Sequence, residues 1–463
     1  MNIVPINRPP SQEKLCNFVR DNEWKGLIDG SFGKIKFHDF GGYSELSPYI
    51  RVRPDVTPEV LWELMTTYWD LKPPNLIISV TGGAKKFFFE KNLENIFKIG
   101  LVKASQNTGT WIITGGMNEG VMKYAGETIN ILRGNQQKMC GIGIGIATWG
   151  AVDNRFSLVG KPGSGKFPAK YHAKALQHGR NMATLDPNHT HFILVDDETT
   201  RKSSGADIKV RRRLEEHILN HIVRKGEKDM ETRVVLLVVE GGPKTLQNTK
   251  EAILKNIPAV IVGGSGRAAD LIAYGFERKN GNKPLTMAEV GSQLMLTFGL
   301  KEESDGTYPR KAHKMLKQLN DIIQHPTLVT IFKLKNANTM DIDSALLRAL
   351  VRAKTSKLES QLQLAMAFNR SDIAREEIFT AENRTKWERI DMVSVMEQAL
   401  KLDKAEFVEL SLDCGVKLHK FLTKRRLRDL YVNAELVQEL LGIDSRDPSL
   451  VSKVICDKLL VSK

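Results

Sequence analysis

Between residues 75 and 266 one pattern recurs: a short run of continuous apolar positions, then glycines, then a stretch long enough for a helix. The runs are NLIISV (75–80), TWIITGG (110–116), GIGIGIATWG (141–150), HFILVDD (191–197), VVLLVVEGG (234–242) and AVIVGGSG (259–266). A strand with one wet face alternates apolar and polar residues, whereas a run that is apolar throughout is buried on both faces. The segments between carry helical patterning, as in KNLENIFKIGLVKASQ (91–106) and VRRRLEEHILNHIVRK (210–225), where Leu214, Ile218 and Ile222 share a face. The expected fold is α/β, a parallel sheet covered by helices.

The ends of the chain read differently. Residues 1–49 lack the pattern, although FGKIKF and YIRVRP look like short strands, and are expected to form an extension packed on a sheet domain of residues 50–335. Beyond about residue 276 helices take over, and residues 336–463 read as helix pairs. QLAMAFNRSDIAREEIF (363–379) and EQALKLDKAEFVELSL (397–412) share one pattern at an offset of 34 residues, close to the ~33-residue ankyrin period. An all-α, ankyrin-like hairpin array, a type that makes interfaces, is expected there.

Composition narrows the classes. With 463 residues, 41% hydrophobic and 26% charged, the chain is long enough for several domains and apolar enough to fold. Its longest aliphatic run, Val234 to Val239, is far short of the ~20 residues of a membrane-spanning helix. The first residues lack a signal-peptide pattern. Cys16, Cys140, Cys414 and Cys456 form no CxxC pair, so neither a disulfide framework nor a zinc site is expected, and a cytosolic setting fits. The net charge of +14 favours an anionic partner.

Four runs end in paired glycines, where backbone N–H groups and the next helix N-terminus can receive a phosphate. These turns supply Thr81, Gly82, Gly83 and Ala84; Thr114, Gly115, Gly116 and Gly120; Gly241, Gly242 and Thr245; and Gly264, Ser265, Gly266 and Arg267. Lys85 follows the first turn. Arg211 to Arg213 open an expected helix, where cations oppose the dipole unless an anion is near; Arg211 is either an anion ligand or part of a solvated face, with Asp207 offsetting it in part. Asn188 completes the candidate ligand-binding set. GKPGSGKF (160–167) mimics a P-loop but puts Phe167 where the magnesium-binding Ser or Thr belongs, so it reads as a surface loop. His189 and His191 lack a third ligand at metal spacing, and a turn packed around Pro187 and Asn188 is the better reading.

PPNLIISVTGGAKKF, TGTWIITGGMNEGVMKYAGE, GIATWGAVDNR, LDPNHTHFILVDD, VRRRLEEHI and IPAVIVGGSGRAADLIA closely resemble the amino-terminal melastatin homology regions of TRPM cation channels. The ADP-ribose-gated branch is most similar and the cold- and menthol-sensing branch second. The resemblance implies a SLOG-type Rossmann-like domain that binds nucleotide-related ligands, then ankyrin-like helices contacting neighbouring subunits of a homotetrameric, calcium-permeable channel. It implies ADP-ribose as ligand, no cofactor, no nucleic-acid partner, and a place on the cytosolic face of the membrane. The family's VTGGA turn falls on Thr81 to Ala84, its TGGxxxG turn on Thr114 to Gly116 and Gly120, and its two basic residues on Arg211 and Arg267. The chain departs from the branch at Glu198, where relatives have Gly, and at Ser204, where they have Tyr.

The same superfamily includes Lonely Guy-type phosphoribohydrolases with the pattern PGGxGTxxE. EGGPKTLQN (240–248) places Lys244 at the third glycine and Asn248 at the acidic position, and an amide cannot exchange a proton at neutral pH. A sensor without catalysis is expected; an enzyme would need another carboxylate, such as Glu119 or Glu240, and a purely structural assembly region is the third alternative.

Overall fold

The computed structural model describes residues 27–423 and 426, apart from 39–45, 85–88, 107–108, 135–140, 161–167, 174–181, 201–204, 221, 226–227, 282, 284, 304–306, 335–340, 354–357 and 381–382. Two compact units divide at Thr355 and Ser356.

The first unit is built on a ten-stranded sheet. Its strands are β1 (Leu27–His38), β2 (Ser47–Val52), β3 (Leu76–Gly82), β4 (Thr110–Thr114), β5 (Ile142–Thr148), β6 (Ala169–His172), β7 (His191–Val195), β10 (Arg233–Val239), β11 (Ala259–Gly263) and β12 (Val329–Lys333), with β8 (Ile222–Lys225) and β9 (Lys228–Glu231) forming a separate antiparallel pair. The order is β12-β11-β10-β3-β4-β5-β7-β2-β1-β6. Every neighbouring pair is parallel except β1 with β2. All six apolar runs became strands, because each is buried from both sides.

Alternate positions of these strands feed opposite layers. In β7, Ile193 and Val195 join the core beneath helices α1 (Pro58–Glu63), α4 (Ala206–Asn220), α5 (Pro243–Leu254), α6 (Arg267–Asn280), α7 (Met287–Phe298) and α8 (Arg310–Ile323). Phe192 and Leu194 point the other way, into a smaller cluster with Tyr49, Trp149 and Tyr171. Helices α2 (Lys91–Gln106), α3 (Gly120–Gly134) and α9 (Ile342–Arg352) cover the second face of the central strands.

Three expectations need correction. Residues 27–38 and 47–52 are strands of the sheet itself, so the chain before residue 50 contributes more than a packed extension. Helix α9 packs on α2 and on β10 to β12, so the division falls after residue 355 rather than 335; β12, unmarked by glycines, needs that helix to bury its face. The helix expected over 210–225 ends at Asn220, and β-branched Ile222 and Val223 pair in the β8–β9 ribbon instead.

The second unit is helical among its described residues. The 34-residue offset reappears as two helical hairpins, Leu358–Ala367 with Ser371–Ile378 and Met392–Lys401 with Ala405–Asp413. Equivalent turn residues Asn369 and Asp403 both adopt left-handed φ, 54° and 53°. Equivalent Ala365 and Ala399, and Ile373 and Phe407, are fully buried. Ser371 donates to Glu406 at 2.6 Å and ties one hairpin to the next.

If α9 belongs to the sheet layer, Leu346→Ala, at a fully buried position, should lower stability by about 2–5 kcal/mol in urea unfolding. Leu296→Ala, at a position 86% exposed, should change it by no more than about 0.5 kcal/mol.

Candidate functional site

From β3 the chain adds β4, β5 and β7 on one side, then returns to place β10, β11 and β12 on the other. The direction of winding therefore reverses between β3 and β10, and in such sheets ligands bind at the carboxyl ends of the strands flanking the reversal. A cleft of about 700 Å³ opens there, within the ~300–1,000 Å³ of small-molecule sites.

Backbone packing builds its floor. Gly83 N–H donates to Val239 O at 3.0 Å, and Val121 N–H at the start of α3 donates to Gly83 O at 2.9 Å. A Cβ on Gly82 would lie 2.0 Å from Val239 O, and one on Gly120 would lie 2.1 Å from Gly83 O. Gly120 also has φ +56°. Only glycine lets β10, the β3 turn and α3 meet this closely.

A buried relay holds the neighbouring turn. Thr114 accepts the Gly116 N–H at 2.8 Å and lies 2.8 Å from His189 Nε2, while His189 Nδ1 lies 2.6 Å from Asp186 Oδ2. Asp186 also bonds Asn188 at 3.3 Å and, through its N–H, Gly116 O at 2.9 Å. Thr114, His189 and Asp186 are fully buried. Burial pushes the Asp186 carboxyl up, opposed by His189. His189 thus bridges Thr114 and Asp186 through its two ring nitrogens. The packed-turn reading of this segment fits the geometry.

Charge enters from the cleft walls. At β10, Gly242 caps α5, its N–H donating to Thr245 Oγ1 at 3.2 Å, and Lys244 lies in the first turn. Arg267 begins α6, with its side chain 42% exposed and Nη1 4.0 Å from Glu240 Oε1. Asp207, in the first turn of α4, also lines the cleft and accepts from Thr148 Oγ1 at 2.7 Å. Burial pushes the Asp207 carboxyl up, while Thr148 and Lys244 pull it back. Glu119 lines the cleft too.

Of the sequence candidates, Gly82, Gly83, Ala84, Gly115, Gly242, Thr245 and Arg267 line the cleft. Thr81, Thr114, Gly116, Gly120 and Gly241 stand in or behind its turns without lining it. Gly264, Ser265 and Gly266 brace it from behind: Ser265 Oγ accepts the Glu240 N–H at 2.8 Å and Gly264 N–H donates to Asp270 at 2.6 Å. Asn188 is held inside by Asp186. Lys85, Ser204 and residues 161–167 lie outside the described residues.

Arg211 is displaced from the expected site. It is buried, with Nε 3.0 Å from Glu215 Oε1 and Nη2 donating to Val80 O at 3.0 Å and Ile113 O at 2.8 Å. Arg212 pairs with the other Glu215 oxygen at 2.7 Å and donates to Asn248 Oδ1 at 2.7 Å. Burial alone would raise the Glu215 carboxyl, yet Arg212 and Arg211 hold it below its ordinary value of 4.5. The sequence reading missed Asp207, Thr148, Met117, Met122 and Met182 as lining residues. Thr148 could have been found from its place at the end of an apolar run.

A family described as SLOG in TRPM matches residues 47–321, more than half of the chain, on this sheet and cleft. The chain belongs to that family. Residues 377–444 match a second family, described as a TRPM2-like domain. "Transient receptor potential cation channel subfamily M member-like 2" of Nematostella vectensis is 37% identical over 478 residues, covering 96% of this chain and 30% of the relative. "Transient receptor potential cation channel subfamily M member 2" of Mus musculus is 40% identical over 417 residues, 88% of this chain and 27% of the relative. Subfamily M member 7 of Homo sapiens is 34% identical over 409 residues, 87% and 21% respectively. This TRPM chain thus spans less than a third of the length of these channels. Among the described residues no helix is long and apolar enough to cross a membrane.

Glu215→Gln in this TRPM chain would remove the carboxylate shared by two buried arginines, a loss of about 3–5 kcal/mol at neutral pH by urea unfolding. Because the folded carboxyl titrates below its ordinary 4.5, its contribution is full above that value and fades as pH falls through the folded pKa. The gap between wild type and variant should therefore narrow in acid.

Proposed function

We propose that this chain is the cytosolic ligand-sensing region of a TRPM-type, calcium-permeable channel subunit, and that ADP-ribose or a closely related nucleotide binds the switch-point cleft. The observation that carries the reading is the convergence on one cleft of the Gly83 and Gly242 turns, the start of α5, and the side chains of Lys244 and Arg267. Backbone N–H groups and helix N-termini receive phosphate oxygens, and a guanidinium can bind two of them at once. Met117, Met122 and Ala151 add apolar surface for a base. Occupancy biases the pore if the ligand favours one conformation of the subunit over another. The helical hairpins serve as an ankyrin-like surface against neighbouring subunits of a homotetramer.

The reading assigns no catalysis. Asn248, which stands where the phosphoribohydrolase pattern has its carboxylate, is buried on Arg212 and does not line the cleft. One observation favours hydrolysis as a second reading: Asp207 and Glu119 place carboxyl groups in the cleft. Titration calorimetry with ADP-ribose, followed by analysis of the recovered ligand, separates the two. Saturable binding with intact ligand is expected; release of ribose 5-phosphate from a nucleoside monophosphate would favour the enzyme. Arg267→Ala should weaken binding by about 10–150-fold, the ~1.5–3 kcal/mol of a charge-assisted contact. Unchanged affinity in that variant would remove the diphosphate from the Gly242 turn.

A further inference from the structure

The cleft combines opposite charges. Lys244 and Arg267 stand beside the Gly242 turn, where a phosphate fits, whereas Asp207 projects from the first turn of α4 next to Thr148. A carboxylate in an anion site repels the anion unless it faces a part of the ligand that donates hydrogen bonds. Thr148 fixes its orientation by donating to Oδ1 at 2.7 Å. Asp207 and Lys244 both line this one cleft, so the carboxyl group shares the opening with the proposed phosphate position. In any nucleotide the group attached to the phosphate is a sugar, and a ribose offers two neighbouring hydroxyl donors. Carboxylates accept such hydroxyls in dinucleotide sites for the same reason.

We propose that Asp207, oriented by Thr148, is the specificity-determining residue of the cleft and accepts hydrogen bonds from the free hydroxyls of a ribose adjoining the bound phosphate. This rests on the reading of the cleft as a nucleotide site. Asp207 then excludes ligands that carry a phosphate on those hydroxyls and disfavours ligands that lack them. A carboxylate that served only the start of α4 would stabilise the helix but would not distinguish one sugar from another.

The test is calorimetry with ADP-ribose and with analogues lacking the 2-hydroxyl on the adenosine ribose or on the terminal ribose, for wild type, Asp207→Asn and Thr148→Val. The wild type should bind one of the two deoxy analogues about tenfold or more weakly, as for a lost hydrogen bond to a charged group. Asp207→Asn should abolish most of that difference while leaving the other analogue's ratio unchanged, and Thr148→Val should reduce it. A wild type indifferent to both deoxy analogues would overturn the assignment, as would an Asp207→Asn variant that weakens all three ligands equally. Those results leave the nucleotide reading standing, whereas a folded wild type that binds no ADP-ribose overturns both. Were Asp207→Asn to misfold, the wild-type ratios and Thr148→Val would still decide.

Discussion

Three backbones meet almost in contact at the reversal of the sheet, and the site depends on that meeting. The β3 turn bonds to the end of β10 through Gly83 and to the start of α3 through Val121, and a Cβ at Gly82 or Gly120 would overlap a carbonyl oxygen. Because these glycines lack side chains, strand ends from both halves of the sheet and the start of α5 face one cleft. A larger residue at either position would force the halves apart, so the shape of the cleft and the integrity of the sheet are the same property here.

The charges are sorted by depth. Beneath the floor, Arg211, Arg212 and Glu215 form a buried ionic cluster whose hydrogen bonds reach Ser79, Val80, Ile113 and Asn248. Such a cluster adds little net stability over an apolar replacement but is costly to break, because either partner alone is an uncompensated buried charge. It ties α4 to β3, β4 and α5. Above the floor, Arg267 is partly exposed and Lys244 and Asp207 line the opening. The shallow layer is open to solvent; the deep layer is not.

The sheet was legible because two-sided burial leaves an unmistakable pattern, and the paired glycines marked the edge at which the cleft opens. Helix phase was not. Reading α4 from Val210 places Arg211 at the helix start, but the helix begins at Ala206. That shift of about one turn puts Asp207 at the cleft and sends Arg211 inward, where Glu215 lies four residues on. The strand β12 and helix α9 escaped because neither carries a glycine signal, and only packing on β11 and α2 reveals their place. His189 shows the same limit: its neighbours suggested a turn, but the bond to Thr114, 75 residues away, depends on the fold.

The most direct test of the central claim is an experimental structure of the chain with ADP-ribose bound. The diphosphate is expected between the Gly83 and Gly242 turns with Arg267 against it, and Arg211 still buried on Glu215. A ligand bound elsewhere, or a diphosphate held by Arg211 after that ion pair had opened, would contradict it.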